Sequence, residues 1–82
     1  MNIYQAQREV LKDFRKMLGM SQMDLANKMD LNVQSIWAYE NKGSIPLDKV
    51  LRLCEVFNIS LPTWYAVVSN IYEKELKHEN QK

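Results

Sequence analysis

The stretch GMSQMDLANKMDLNVQSIWAYENKGSIP, residues 19–46, decides how this chain is read. Gly19 supplies a left-handed stop for whatever helix precedes it. Ser21 has the side chain of a helix N-cap, and Asp24 stands three residues on, where a capping-box partner belongs. Leu25, Ala26 and Met29 follow at the spacing of one helical face. Asp30 and Leu31 turn the chain. Asn32 is a second N-cap candidate, opening a helix through Val33, Gln34, Ser35, Ile36, Trp37, Ala38 and Tyr39. Gly43 and Pro46 bracket the loop beyond it. Two short helices, each with its own cap, are therefore expected to follow one another across a tight turn.

Outward from this stretch the helical period continues on both sides. Within Ile3 to Leu18, the residues Val10, Leu11, Phe14 and Leu18 recur at steps of three and four, while Arg8, Glu9, Lys12, Asp13 and Lys16 fill the other faces. On the far side Pro46 stands near the first turn of a fourth helix, on which Val50, Leu51, Cys54 and Phe57 are expected to share a face. Asn58 and Ile59 make a turn, and Ser60 caps a fifth helix with Pro62 in its first turn. There Leu61, Tyr65, Val68, Tyr72 and Leu76 keep the helical spacing, flanked by Trp64, Val67 and Ile71. The predicted fold is all-α, one domain over residues 1–82, with five helices, an extended C-terminal helix over 61–77 and a polar tail, 78–82, that frays. The predicted core is Val10, Phe14, Leu18, Leu25, Ala26, Met29, Ile36, Leu51, Cys54 and Phe57. Met17, Met20, Met23 and Met29 are expected to fill space around the first two helices.

Composition narrows the function. The 82 residues include 46% hydrophobic and 26% charged, the balance of a globular domain with a thin core. Two glycines and two prolines provide too few tight turns for a β-sandwich. Eleven basic and ten acidic residues leave a formal charge of +1, which excludes a polybasic chain but not a local patch. The single cysteine, Cys54, cannot form a disulfide within the chain and reads as a buried small hydrophobe. A cytoplasmic protein is expected, with no secretory leader, no membrane segment, no cofactor and no metal: His78 has no companion ligand. No glycine-rich phosphate loop or nucleophile elbow is present, so an enzyme is not expected.

The paired helices have the spacing of a helix-turn-helix. The Ser21-Gln22 and Leu25-Ala26 element, followed in order by Ile36, Glu40-Asn41 and Pro46, resembles the Cro and phage-repressor type of helix-turn-helix, also called the xenobiotic-response-element family. The resemblance covers residues 10–61. It implies a sequence-specific DNA-binding transcriptional regulator, a repressor of phage or mobile-element type that binds a double-stranded operator as a homodimer and blocks polymerase. It further implies roles for individual residues. Gln22 would meet phosphate at a helix N-terminus, where unpaired N–H groups favour an anion. Base edges would be met by Asn32, Val33, Gln34, Trp37 and Ala38, with Gln34 the main reader, since glutamine pairs two-fold with adenine and valine touches a thymine methyl. Ser35, Asn41, Lys42 and Ser44 would contact phosphate. Arg15 and Glu40 would form an ion pair between the first helix and the end of the third.

Three features depart from the family pattern. Asp30 replaces the usual turn glycine, at modest cost because aspartate tolerates the left-handed region. Lys42 replaces the glycine after Glu40-Asn41, with Gly43 one step later, so that loop is expected to rearrange. The segment from Leu31 to Tyr39 carries no charge and presents Trp37, whose indole either packs partly against Tyr39 or the Pro46 loop or meets a ligand. A neutral reading helix supports an alternative function: binding and modulating another repressor, with little DNA affinity. A restriction-modification controller is a third reading. The fifth helix carries its apolar stripe beyond the family pattern, so Trp64, Val67, Val68, Ile71 and Tyr72 are expected at a subunit or partner interface, with Trp64 its anchor. The competing expectation is that the first helix covers that side through Ile3 and Tyr4.

Overall fold

Side-chain caps set most of the helix starts. In the computed structural model, which describes residues 1–80, α1 (Ile3–Met17) begins at Asn2, whose side chain accepts from the Gln5 N–H while Gln5 returns a bond to the Asn2 N–H. α2 (Gln22–Met29) begins at Ser21 with the reciprocal Ser21–Asp24 capping box, and α3 (Val33–Asn41) begins at Asn32. α4 (Leu47–Phe57) follows Pro46, which cannot offer a side-chain cap but holds φ at −56°. Ser60 caps α5 (Leu61–Asn80), its Oγ accepting from the Thr63 N–H at 3.2 Å. Left-handed residues end three of these helices or follow them directly: Gly19 at φ 70°, Asp30 at 55° and Asn58 at 57°. Asp30 thus takes the left-handed conformation expected of it at this turn. α5 continues through Asn80, past the expected end at Lys77; Gln81 and Lys82, the end of the expected tail, lie outside the described residues.

The described residues are all-α, with five helices around one core. α1 lies along α5 and against α3, α2 packs on α3 and α4, and α4 packs on α5. The core gathers Ala6, Val10 and Leu11 from α1, Leu25, Ala26 and Met29 from α2, Ile36 from α3, Ile45 from the loop, Val50, Leu53, Cys54 and Phe57 from α4, and Trp64 and Val68 from α5.

Four expectations change. Leu51 is 45% exposed, and Leu53 takes its place inside. Val50, Leu53, Cys54 and Phe57 form one stripe, and Leu51 lies one residue step, about 100° around the helix, outside it. Leu18 is 49% exposed, because it is the C-cap of α1 and the chain has already left the helical path. Phe14 is only half-buried and Met17, at the end of α1, is exposed; Met23 is exposed because the short α2 has one inner face, already filled by Leu25, Ala26 and Met29. Trp64 and Val68, expected at an interface, are buried in the chain's own core. The cause is α1. Its Phe14 ring stacks on Phe57 at 5.5 Å and lies 6.4 Å from Trp64, so three aromatic rings join α1, α4 and α5. Ile3 and Tyr4 take little part in this cover and stay exposed.

Candidate nucleic-acid interface

α2 and α3 are fixed relative to one another by a buried polar knot. Arg15, on α1, donates from Nε to Glu40 Oε2 at 2.6 Å and from Nη2 to Glu40 Oε1 at 3.0 Å, a two-point contact suited to the flat guanidinium. Its Nη1 donates to the Met20 carbonyl at 2.9 Å, which ties down the α1–α2 turn. Glu40 Oε1 also accepts from Gln22 Nε2 at 3.1 Å. The glutamate side chain is 2% exposed, so burial without these donors would be costly. Its hydrogen bond raises the Arg15 pKa further above its ordinary value, against burial, which acts the other way. Three helices are thereby registered on one carboxylate.

The same contact turns Gln22 partly inward. One amide N–H of the residue expected at a phosphate is used on Glu40, and its residue is half-buried at the start of α2. The first-turn backbone N–H groups of α2 point out of the helix end, as in any helix start. Asp24 closes that end. Its carboxylate accepts from the Ser21 N–H at 2.9 Å, the main cause that holds its pKa below the ordinary carboxylate value.

α3 presents a neutral outer face. Its one charged residue, Glu40, is buried, and Gln34, Trp37 and Asn41 are exposed, with Val33, Ser35 and Ala38 half-buried beside them. Asn32 and Ser35 are bound to each other: Asn32 Oδ1 accepts from the Ser35 N–H at 3.0 Å and from its hydroxyl at 3.1 Å. The Asn32 oxygen is thus committed to the cap, which leaves its amide N–H groups to face outward. Gln34 makes no such bond to its neighbours and is the freest polar side chain at this end of the helix.

The loop after α3 is rearranged around its displaced glycine. Lys42 is extended at φ −140°, its N–H donating to the Ala38 carbonyl at 2.8 Å, and Gly43 takes the left-handed turn at φ 58°. Asn41 folds its amide back onto the Trp37 carbonyl at 2.8 Å. The Lys42 ammonium lies 5.3 Å over the Trp37 ring, and the indole remains 47% exposed. Trp37 is thus partly covered, with Lys42 over its ring, and keeps about half of its surface in solvent. Ser44 is exposed. Sequence reasoning missed Arg8, whose guanidinium donates to the Gly43 carbonyl and pins this loop to α1. No local signal could have found it, because the pair is 35 residues apart.

Among the described residues no helix is long and apolar enough to cross a membrane, and no group of three or more His, Cys, Asp or Glu could hold a metal ion. Comparison with curated proteins and with solved structures gave no match. A family model described as helix-turn-helix matches residues 11–64, which takes in α2, α3, α4 and Arg15. Arg8 and most of α5 lie outside the match. The match and the two capped, interlocked helices agree: the chain belongs to the helix-turn-helix family of the Cro and repressor type, a family of DNA-binding transcription regulators.

Proposed function

We propose that this protein is a sequence-specific transcriptional repressor that binds a short, two-fold symmetric operator as a homodimer, with α3 in the major groove. The observation that carries this reading is the outer face of α3. It carries no charged side chain of α3 itself, and Gln34 and Trp37 stand exposed on it, on a helix otherwise immobilised through Glu40. In this reading Gln34 is the main base reader, with Val33, Trp37, Ala38 and the Asn32 amide beside it. Phosphates are met by Lys42 and Ser44, by the second N–H of the Gln22 and Asn41 amides, and by the Ser35 hydroxyl as acceptor of a bridging water.

One observation favours a second reading, modulation of another repressor: the same outer face lacks any cation before Lys42, while phosphate attraction dominates DNA affinity. Titration of the labelled DNA upstream of its own gene, at two salt concentrations, separates the two. The repressor reading expects tight binding that weakens with salt. Absence of salt-dependent binding to that DNA overturns it in favour of the modulator.

A further inference from the structure

We propose that α3 selects A·T base pairs through their thymine methyl groups, and that Trp37 and Lys42 act there as one composite contact. The inference rests on the DNA-binding reading above and goes on to state which base pairs are read. The outer face of α3 holds Gln34, Val33, Trp37 and Ala38 and neither arginine nor lysine. α3 itself therefore offers no side chain that recognises guanine by two-point hydrogen bonding, and the nearest cation, Lys42, is held over the Trp37 ring, whereas glutamine suits adenine. The apolar members meet a groove in which the one apolar feature is the thymine methyl; any other base edge would lose water against them without gaining a hydrogen bond.

Trp37 is the largest of these groups and the most exposed, at 47%. The electron-rich face of its ring holds the Lys42 ammonium at 5.3 Å. The half-exposed indole is the apolar surface that this contact offers. Lys42 has no carboxylate partner among the described residues, so its charge is available to a phosphate beside the base pair that the indole touches. The backbone holds this arrangement from two sides. The Lys42 N–H is bonded to the Ala38 carbonyl, and the carbonyl of the following residue, Gly43, is held by Arg8. Ring and ammonium therefore reach the duplex together.

The test uses the full chain and a duplex pool with a random core, from which wild-type protein enriches its preferred sequence. That duplex is then made with thymine or with uracil, which lacks only the methyl. Enrichment of adjacent A·T pairs is expected, and uracil should weaken wild-type binding about three- to tenfold, the size expected for one or two buried methyl groups. Trp37→Ala should bind the two duplexes alike; Trp37→Phe should keep part of the difference. Lys42→Ala should lower the salt slope by about one. The losses of Trp37→Ala and Lys42→Ala should fall short of additivity in the double variant. DNA should also shield the protein from iodide quenching, because Trp64, at 0% exposed, leaves Trp37 as the accessible indole. All these side chains are on the surface, and circular dichroism checks that each variant folds. A G·C-rich enriched core, or equal wild-type binding to thymine and uracil duplexes, overturns this inference and leaves the repressor reading standing. Failure to enrich any duplex overturns both.

Discussion

Glu40 accepts from three donors on two other helices, Arg15 Nε, Arg15 Nη2 and Gln22 Nε2, although it stands on the helix proposed to read DNA. Replacing it leaves the Arg15 charge buried with only the Met20 carbonyl. Glu40→Ala should therefore cost about 3–5 kcal/mol in a urea titration, far more than an exposed pair such as Arg52–Glu55, worth about 0–1 kcal/mol. Gln34→Ala belongs to the opposite case. The side chain is exposed, so stability should stay within about 0.5 kcal/mol, while discrimination between operator and random DNA should fall by about 1–3 kcal/mol. Binding to random DNA should hardly change, and a uniform loss across sequences would show that Gln34 contacts backbone. Asp24 gives a pH signature. Its folded pKa lies below the ordinary value because it accepts from the Ser21 N–H, so its contribution to stability is present at neutral pH and fades as the pH falls through the carboxylate range. Asp24→Asn should flatten that part of the acid-unfolding profile, and the two proteins should converge at low pH.

Helix α5 shows how an element's role follows from its neighbour. Its stripe of Trp64, Val68 and Ile71 would suit either an interface or a core, and α1 makes it a core. Trp64→Ala should cost about 3–5 kcal/mol in the monomer, because it removes a fully buried ring that stacks on Phe14. Leu51→Ala on α4 should cost less than about 0.5 kcal/mol, since that leucine is already in solvent. Thermal melts of the two variants check the pair of claims. The reverse ranking would restore Leu51 to the core and Trp64 to the surface.

At the scale of the molecule, the burial of Trp64 moves the apolar surface available for dimerisation. Val67, Ile71 and Tyr72 are half-buried against the core and keep only their outer edges for a partner. Leu47 and Leu51 on α4 and Tyr65 on α5 are 59%, 45% and 41% exposed, and with Leu76 near the end of α5 they are large apolar side chains that these helices present to solvent. A homodimer through them should appear in sedimentation as a concentration-dependent dimer that Leu51→Asp shifts towards monomer with its melting temperature in dilute solution unchanged. Ile71→Asp is the poorer probe, because it would also damage the core. Wild-type protein that stays monomeric at high micromolar concentration would remove the homodimer from the proposed function.

Local chemistry was legible in the sequence. Ser21, Asp24, Asn32 and Ser60 act on atoms within three residues of themselves, so their caps, and with them three helix starts, follow from spacing alone. Asp30 in the left-handed region and Gly43 in place of the missing glycine follow from the same short-range sterics. Long-range geometry was not. The sequence gives a stripe on each helix but not which neighbour meets it, and a stripe is wide enough to admit either Leu51 or Leu53 until α2 and α5 fix the rotation of α4. The path of α1 decided the most. Its packing on α5 buried Trp64, its Arg8 reached the loop after α3, and its Phe14 stacked on Phe57. Each of those contacts joins residues dozens of positions apart, where no periodicity acts and only the packed chain chooses the partner.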